Sequence, residues 1–338
     1  MAIWIDLANS PHVTFMKPFV DRFLKDRVPL IVTARDYGNT IELLEKERWP
    51  YTEVGGHGGK RMTGKVMAFG ERLWLLRKTL RYQKPKVAFS QSSFYSPLVA
   101  STLRTPFLYT NDNEYAGGNL AARIPGGIAM YPAALRSSPD ARRFLGGNAI
   151  FYEGTKEGIY LSQRSAILSF STDKSVYYYR PEPWLAQYHE ADPEFSLRII
   201  GALEQLGSVR IIARDAKQRE YYSRKLSDHG KVEVLRTVVT LDDIVRTGAA
   251  FVGSGGTMCR ELALLGVPTV SLYSGKLLAV DRELIERGLM LHTQDPERLK
   301  AFLESAAVNE QCASEAEKLL EDGRRTFELI CEKLYGFL

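Results

Sequence analysis

Long apolar runs, closely spaced cysteines and paired histidines are all missing from this sequence of 338 residues. Its apolar segments fall well short of the roughly 20 residues that a membrane-spanning helix requires. Three cysteines, Cys259, Cys312 and Cys331, lie far apart, and the five histidines show no metal-ligand spacing. These features argue against a membrane-spanning protein, a disulfide-rich secreted domain and a zinc protein. We therefore expect a cytoplasmic chain that starts directly with a strand and holds no metal and no cofactor.

Length and composition are those of an ordinary globular protein, with 45% hydrophobic and 25% charged residues. A chain this long exceeds one ordinary core and predicts two domains of roughly 150 residues each. We place an N-terminal domain at residues 1–165 and a C-terminal domain at residues 166–313. A helical pattern at 314–338 is able to cross back to the first domain.

Short apolar segments rich in β-branched residues alternate with longer helical patterns along the whole chain. This alternation predicts an α/β architecture of parallel sheets with helices on both faces. Two such sets in succession predict two tandem Rossmann-like domains with an interdomain cleft. The predicted strands are Ile3–Asp6, Pro29–Thr33, Tyr51–Val54, Val87–Ser90, Pro106–Thr110, Gly127–Tyr131, Ala149–Tyr152, Ser175–Tyr179, Val209–Ala213, Val232–Leu235, Ala249–Val252 and Thr269–Leu272. The predicted helices include Pro18–Lys25, Thr40–Glu47, Lys65–Tyr82 and Arg219–His229.

A glycine-rich turn between the strand at Ala249–Val252 and the next helix is the most informative motif. Gly255 and Gly256 let the backbone approach a ligand with no Cβ in the way. Ser254 and Thr257 add hydroxyl groups, and the helix that begins near Thr257 directs free N–H groups and a positive dipole end at the turn. Glu261, one turn further on, is placed to accept hydrogen bonds from the vicinal hydroxyls of a sugar. The motif fits a diphosphate followed by a ribose; the alternative is a turn that merely joins strand to helix.

Polar residues gather after five of the predicted strands. In open parallel sheets, ligands bind beyond the carboxyl ends of the strands. These five strand ends therefore predict an active site in the interdomain cleft. The segments are Asp6–His12, Ser90–Tyr95, Asn111–Glu114, Arg180–Trp184 and the glycine turn.

Three of these residues are candidates for acid–base chemistry. His12, with an ordinary pKa near 6.5, suits a general base, or else it is a structural histidine that caps the following helix. Asp112 and Glu114 are two positions apart, so on an extended segment both face one side and can divide acid and base roles. Alternatively, they cap the segment that follows.

Arg180 and Glu182 flank Pro181, which favours an extended backbone at Arg180. An arginine at this strand end is able to fork onto a phosphate, with Glu182 holding the sugar or orienting the guanidinium. A buried structural ion pair between Arg180 and Glu182 is the alternative.

The segment Lys60–Lys86 carries nine lysines and arginines against one acid, Glu71. Apolar residues such as Val66 and Trp74 are mostly spaced three or four positions apart, which predicts a basic amphipathic helix. Either this helix lies on an anionic membrane surface or contacts a lipid-linked acceptor, or its apolar face packs on the sheet while its cations, Arg72 among them, face water. No nucleic-acid-binding module is recognisable, so we expect no nucleic acid partner.

With these residues identified, the chain resembles the GT-B superfamily, in which the second of two facing Rossmann domains binds a nucleotide sugar. The segment Gly253–Pro268 is similar to the phosphate and ribose motif of that group, which includes the non-hydrolysing UDP-N-acetylglucosamine 2-epimerases. The segment Asn9–Val13, followed by Pro18, resembles the first turn and histidine of inverting transferases such as the lipid-intermediate N-acetylglucosaminyltransferase. Over nearly its whole length, the chain resembles more specifically an uncharacterised, largely archaeal family of this superfamily.

By this resemblance Ser254, Gly255 and Gly256 bind the diphosphate, and Glu261 binds the ribose. The epimerase pattern, however, is only partly present. Epimerases have an acid after the fourth strand and two glutamates after the fifth, and they have a histidine in the second domain. Here Gln91-Ser92-Ser93 follows the fourth strand, only Glu114 matches after the fifth, and Arg180-Pro181-Glu182 replaces the histidine.

Group transfer needs less than epimerisation: one base, His12 or Glu114, and a clamp on the departing diphosphate. We therefore expect an inverting, metal-independent glycosyltransferase that moves a sugar from a nucleoside-diphosphate donor, a UDP-sugar above all, to an acceptor hydroxyl. The alternatives are a nucleotide-sugar 2-epimerase and a non-catalytic nucleotide-sugar-binding protein.

Overall fold

The computed structural model describes residues 1–56, 62–164, 175–184, 193–305 and 310–338. The chain forms two compact units: unit 1 comprises Met1–Gln163 and Glu321–Leu338, and unit 2 comprises Arg164–Leu320. The domain boundary expected at 165/166, together with Lys60 and Arg61 of the basic segment, lies outside the described residues.

Unit 1 contains one seven-stranded sheet, and every pairing in it is parallel. Its strands are β1 (Ile3–Leu7), β2 (Leu30–Ala34), β3 (Thr52–Glu53), β4 (Val87–Gln91), β5 (Phe107–Thr110), β6 (Gly127–Pro132) and β7 (Ala149–Tyr152). Its helices are α1 (Ser10–Lys25), α2 (Thr40–Glu47), α3 (Met62–Gln83), α4 (Tyr95–Thr102) and α5 (Lys156–Leu161), with 3-10 turns at Gly117–Arg123 and Ala133–Ser137. The strand order is β3-β2-β1-β4-β5-β6-β7.

Unit 2 also contains one sheet, with six strands that all pair in parallel. They are β8 (Val176–Arg180), β9 (Ser208–Ile211), β10 (Val232–Val234), β11 (Gly248–Gly253), β12 (Thr269–Ser271) and β13 (Met290–His292), in the order β10-β9-β8-β11-β12-β13. The helices are α6 (Pro193–Leu206), α7 (Ala216–Lys225), α8 (Leu241–Thr247), α9 (Gly256–Leu264), α10 (Ala279–Glu286) and α11 (Pro296–Ser305). A last helix, α12 (Glu310–Tyr335), contributes its residues from Glu321 onward to unit 1.

The expected α/β fold with two Rossmann-like sheets is confirmed, and all twelve predicted strands are present. The sequence missed β13, a three-residue edge strand without a β-branched residue. The predicted start of the first helix at Pro18 is wrong, because α1 begins at Ser10, with Asn9 accepting a hydrogen bond from the Ser10 N–H and Pro11 in the first turn. Proline is tolerated there, because the first helical N–H groups have no partner inside the helix.

The core of unit 1 lies where α1 and the end of α12 pack together. The Phe19 ring of α1 lies 5.0 Å from that of Phe89 in β4 and 4.7 Å from that of Phe327 in α12. Gly323 permits α12 to approach α5 closely, since a Cβ at that position would lie 2.3 Å from the backbone of Gly158. The last helical turns are therefore part of the core of unit 1.

A buried ion pair fixes α3 against this sheet. Asp6, near the end of β1, is fully buried, and its two carboxylate oxygens accept hydrogen bonds from Arg72 at 2.8 and 3.1 Å. Thr33 of β2 donates to the same carboxylate at 2.7 Å, and Ser93 donates to its other oxygen. These contacts, Arg72 above all, hold the pKa of Asp6 below its usual value even though burial acts in the opposite direction. The expectation that Arg72 faces water is wrong, since its side chain is 1% exposed.

Replacing Arg72 with methionine would keep a long side chain but leave the buried Asp6 carboxylate without its cation. We expect the free energy of unfolding to fall by about 3–5 kcal/mol in urea titrations followed by circular dichroism. Arg77→Met, on the exposed side of the same helix, is the matched control and should cost less than about 0.5 kcal/mol. Equal, small losses in the two variants would show that the ion pair does not anchor α3.

Candidate functional site

Three neighbouring strands of unit 2 end in residues that surround one point. Arg180 is the last residue of β8, Arg214 follows β9, and the glycine turn follows β11. The sheet order reverses between β8 and β11, which is where open parallel sheets bind ligands. The Ser254 N–H donates to the Arg180 carbonyl at 3.3 Å, so the two strand ends are joined directly.

The glycine turn leads straight into α9, whose first residue is Gly256 and whose cap residue, Gly255, offers no side chain to its free N–H groups. Those N–H groups and the helix dipole make the turn attractive to an anion. The Arg214 guanidinium lies against the turn, since a Cβ at Gly255 would be 3.0 Å from its Nη2 atom. Ser254 is buried and Thr257 half-buried beside it.

Two arginines bring positive charge to this turn. Arg180 donates from Nη1 to the sulfur of Met258 at 3.1 Å, and its buried Nε has no hydrogen-bond partner among the described residues. Burial lowers the pKa of Arg180, while the nearby charges of Cys259 and Glu261 act in the opposite direction. Arg214 donates from Nε to the Pro181 carbonyl at 2.7 Å. Burial and the charge of Arg180 lower the pKa of Arg214 to about 10, so both arginines are charged at neutral pH.

Other charged groups near the turn have partners within the fold. Arg260 forms a buried ion pair with Asp281, with 2.7 Å between Nη1 and Oδ1. Glu182 accepts a hydrogen bond from Ser274 Oγ at 2.9 Å. Glu261 is buried in the second turn of α9, with 9% of its surface exposed.

His12 lies in the first turn of α1, at the carboxyl edge of the sheet of unit 1. Its ring is buried, and Nδ1 accepts the N–H of Ala8 at 3.2 Å. Burial lowers the pKa of His12 to about 4, partly opposed by the charge of Asp6. The ring is therefore neutral at pH 7, and since Nδ1 is the acceptor, its single proton lies on Nε2. In this state the remaining ring N–H of His12 is on Nε2, while Nδ1 is bonded to the N–H of Ala8, two residues before α1 begins.

Asp112 and His12 belong to one charged neighbourhood, because the charges of Asp112 and Lys156 both act on the His12 ring. Lys156, the first residue of α5, lies 2.8 Å from Asp112 Oδ2, and Gln91 Nε2 donates to Oδ1 at 3.4 Å. Asp112 is thus held in an ion pair with Lys156. Glu114, two residues on, has a fully buried side chain, and its carbonyl accepts a hydrogen bond from Arg143 at 3.3 Å.

Backbone strain occurs at the same edge of unit 1. Ser92, directly after β4, has φ of 54°, a left-handed conformation that costs a non-glycine residue roughly 1–3 kcal/mol. The Ser92 N–H donates to the Thr110 carbonyl at 2.8 Å, and the next residue, Ser93, bonds Asp6. The strained turn thereby directs Ser93 toward the buried carboxylate of Asp6. The residues at this strand end, Gln91, Ser92 and Ser93, include no acid.

Sequence reasoning missed Arg214 and Lys156. Both follow strands, β9 and β7, and each is at the end of its sheet where ligands bind. A survey of every strand end, rather than of the five richest in polar residues, would have included them.

Two features are absent from the described part of the chain. No group of three or more histidine, cysteine, aspartate or glutamate side chains in that part is arranged to hold a metal ion. Within the same residues, no helix has the length and apolarity that crossing a bilayer demands.

Two parallel sheets with the same order reversal define a protein of the GT-B-like class, with two Rossmann-like domains. The UDP-GlcNAc 2-epimerase from Methanocaldococcus jannaschii has a similar structure, with a TM-score of 0.69 and 12% identity over 98% of this chain and 100% of that one. The glycosyltransferase VinC in complex with dTDP has a TM-score of 0.67 and 13% identity over 100% and 99%.

A family described as "Protein of unknown function (DUF354)" matches residues 1–337, and the chain belongs to this family. A relative from Methanocaldococcus jannaschii, "Uncharacterized protein MJ0665", is 30% identical over 317 residues, which cover 89% of this chain and 90% of the relative. The resemblance to GT-B proteins and to a family with archaeal members, inferred from the sequence, is thereby confirmed.

His12 should make the stability of the protein depend on pH. The pKa of His12 is about 4 in the folded protein against 6.5 ordinarily, so the unfolded chain binds the proton more readily. This contribution, about 3 kcal/mol, is fully present above pH 6.5 and is lost as the pH falls toward 4. We expect His12→Gln to lose less stability than the wild type between pH 7 and pH 4 in urea titrations, whereas equal losses would contradict the burial of a neutral ring.

Proposed function

We propose that the protein is a nucleotide-sugar-dependent glycosyltransferase, in which unit 2 binds a nucleoside-diphosphate sugar. The observation that carries this proposal is the convergence of Arg180, Arg214 and the start of α9 on the glycine turn. Two adjacent arginines repel each other, and the nearby charges of Glu261 and Glu182 act against that repulsion. An anion bound beside the arginines would offset it further. A diphosphate matches both their charge and the N–H groups of the turn.

The proposed assignments follow the geometry of the turn. Ser254, Gly255, Gly256 and Thr257 contact the diphosphate through N–H and hydroxyl groups, and Glu261 accepts hydrogen bonds from the ribose. Arg180 and Arg214 offset the negative charge that grows on the leaving diphosphate, which is the part of the reaction that most needs stabilisation. That stabilisation comes from the protein itself, consistent with a metal-independent reaction.

The nucleotide proposed for the donor is uridine diphosphate. The names of two structures with this fold refer to a UDP-sugar enzyme and to a transferase in complex with dTDP. Glu182, two residues after Arg180, accepts a hydrogen bond from Ser274, and we assign it to the sugar end of the same donor.

Unit 1 supplies the groups proposed for the acceptor. The acceptor oxygen attacks the anomeric carbon, its bond forms as the bond to the diphosphate breaks, and its proton passes to a base. Of the two candidates, Glu114 fits the base better, since His12 already uses Nδ1 as an acceptor and carries its proton on Nε2. His12 then orients the acceptor or the sugar as a donor. We propose a lipid-linked alcohol as one class of acceptor to test, because of the basic helix α3.

Epimerisation fits the same fold less well. It requires acids and bases on both sides of the sugar ring, but Ser93 after β4 is bound to Asp6 and Asp112 is paired with Lys156. The 2-epimerase therefore remains the second candidate, supported by the similar fold and by Glu114, and a non-catalytic binding protein is the third.

Binding of UDP is the first expected result. At 100 times its dissociation constant UDP should add about 2.7 kcal/mol of stability, measured as a thermal shift. Arg214→Met and Glu261→Gln should weaken UDP binding by roughly 10- to 100-fold, the cost of one charged hydrogen bond. Arg210→Met is the matched control. Arg210 lies in β9, the strand that precedes Arg214, and is paired with Glu233, so this variant should bind UDP as the wild type does. An unchanged affinity in Arg214→Met would remove the diphosphate assignment.

Turnover of UDP-GlcNAc distinguishes the three candidate functions. We expect UDP release only in the presence of an acceptor from a panel of sugars and lipid-linked alcohols, with inversion at the anomeric carbon by NMR. Glu114→Gln should lower kcat by roughly 10²- to 10⁴-fold while UDP binding is retained. Formation of the 2-epimer without acceptor would identify an epimerase, and binding with no turnover of any donor would identify a binding protein.

A further inference from the structure

The helix α3 presents an apolar and basic face that the proposed reaction does not use. The side chains of Val66, Met67 and Trp74 are 63%, 75% and 59% exposed, although their residue types favour burial. Arg77, Lys78 and Arg81 follow on the same side of the helix and are exposed as well. We call these six residues the α3 face.

This face is a fixed feature of the fold. Leu76 and Leu80 are fully buried on the opposite side of α3, and Arg72, four residues before Leu76 on that same buried side, is held by Asp6. Since positions three, four and seven apart share a side of a helix, this anchoring leaves Met67, Trp74, Lys78 and Arg81 directed outward. The helix cannot turn to bury Trp74 without breaking the contact of Arg72 with Asp6.

Its two halves differ in chemistry. Apolar side chains occupy the first part of the α3 face, and cations occupy its last part, where Lys78 Nζ lies 5.1 Å from the centre of the Trp74 ring. One acid, Glu71, is exposed on the same side of the helix, so the three cations outnumber it. A tryptophan beside lysines and arginines suits a boundary between an apolar medium and an anionic one, because the indole enters the apolar layer while the long cationic side chains reach the charged groups. Two copies of this face would bring like charges together, which disfavours self-association.

We propose that the α3 face binds the surface of an anionic lipid bilayer, with Met67 and Trp74 in the headgroup layer and Arg77, Lys78 and Arg81 on the lipid phosphates. This interaction does not depend on the proposed glycosyl transfer. Each cation near such a surface raises the partition coefficient roughly fivefold, so three of them account for about a hundredfold preference over a neutral bilayer.

The test measures co-sedimentation of the full chain with vesicles of phosphatidylcholine, either alone or with phosphatidylserine at one part in five. We expect binding to the anionic vesicles only, with a partition coefficient that falls as salt rises. The triple variant R77S/K78S/R81S should bind about a hundredfold more weakly, and M67S/W74S should also lose binding. Arg72 stays unchanged, because its loss unfolds the helix contact.

The matched control removes the same charge from unit 2, through K217S/K225S/K231S at three exposed lysines, and should bind as the wild type does. All variants are checked for an unaltered thermal transition and for UDP binding, so that a folding defect is recognised. The proposal is overturned if the wild type does not sediment with anionic vesicles, if it binds neutral vesicles equally well, or if the α3 variants and the unit 2 control lose binding alike. A dimer in analytical ultracentrifugation that M67S/W74S abolishes, without vesicle binding, would assign the face to a second copy instead.

Discussion

The buried pair of Asp6 and Arg72 is the interaction on which unit 1 depends. Removing two charges from water costs free energy. The hydrogen bonds offset this cost because each carboxylate oxygen of Asp6 accepts two of them. Arg72 supplies two of those bonds, and Thr33 and Ser93 supply the others. One carboxylate thus joins two strands, the turn after β4 and the helix α3. The carboxyl edge of the sheet, where His12 lies, is built around this network.

The two units use the same strand order but differ in the charges at their strand ends. In unit 1 Asp6 is paired with Arg72, and Asp112 with Lys156. Unit 2 also has a buried ion pair, Arg260 with Asp281, and it has two neighbouring arginines at its strand ends. The charge of Arg180 lowers the pKa of Arg214, while the charges of Glu261 and Glu182 act on the two arginines in the opposite direction. These two arginines are the reason why we propose that unit 2 binds the anionic part of a donor.

The fold was predictable from the sequence because its strands are apolar runs bounded by turn residues, a signal that needs no knowledge of partners. The site was predictable only in part. Ser254 and Gly255 belong to a local motif, so their neighbourhood follows from the chain itself, whereas Arg214 reaches the same turn from another strand. His12 shows the same limit: the sequence places it just after the first strand, but its bond to the Ala8 N–H and the burial of its ring follow from the fold. The prediction for Arg72 was wrong because helical spacing alone does not reveal that the carboxylate of Asp6 is buried in the sheet beside α3.

The surroundings of Gly255, rather than its backbone conformation, distinguish this position in the turn. Its φ of −120° and ψ of 127° are ordinary extended values that any residue adopts. A methyl group at this position would lie 3.0 Å from Nη2 of Arg214, so the guanidinium would have to move by a few tenths of an ångström. The missing side chain therefore lets a cation approach the turn closely. The distance between that charge and the turn thus depends in part on a residue that carries no charge.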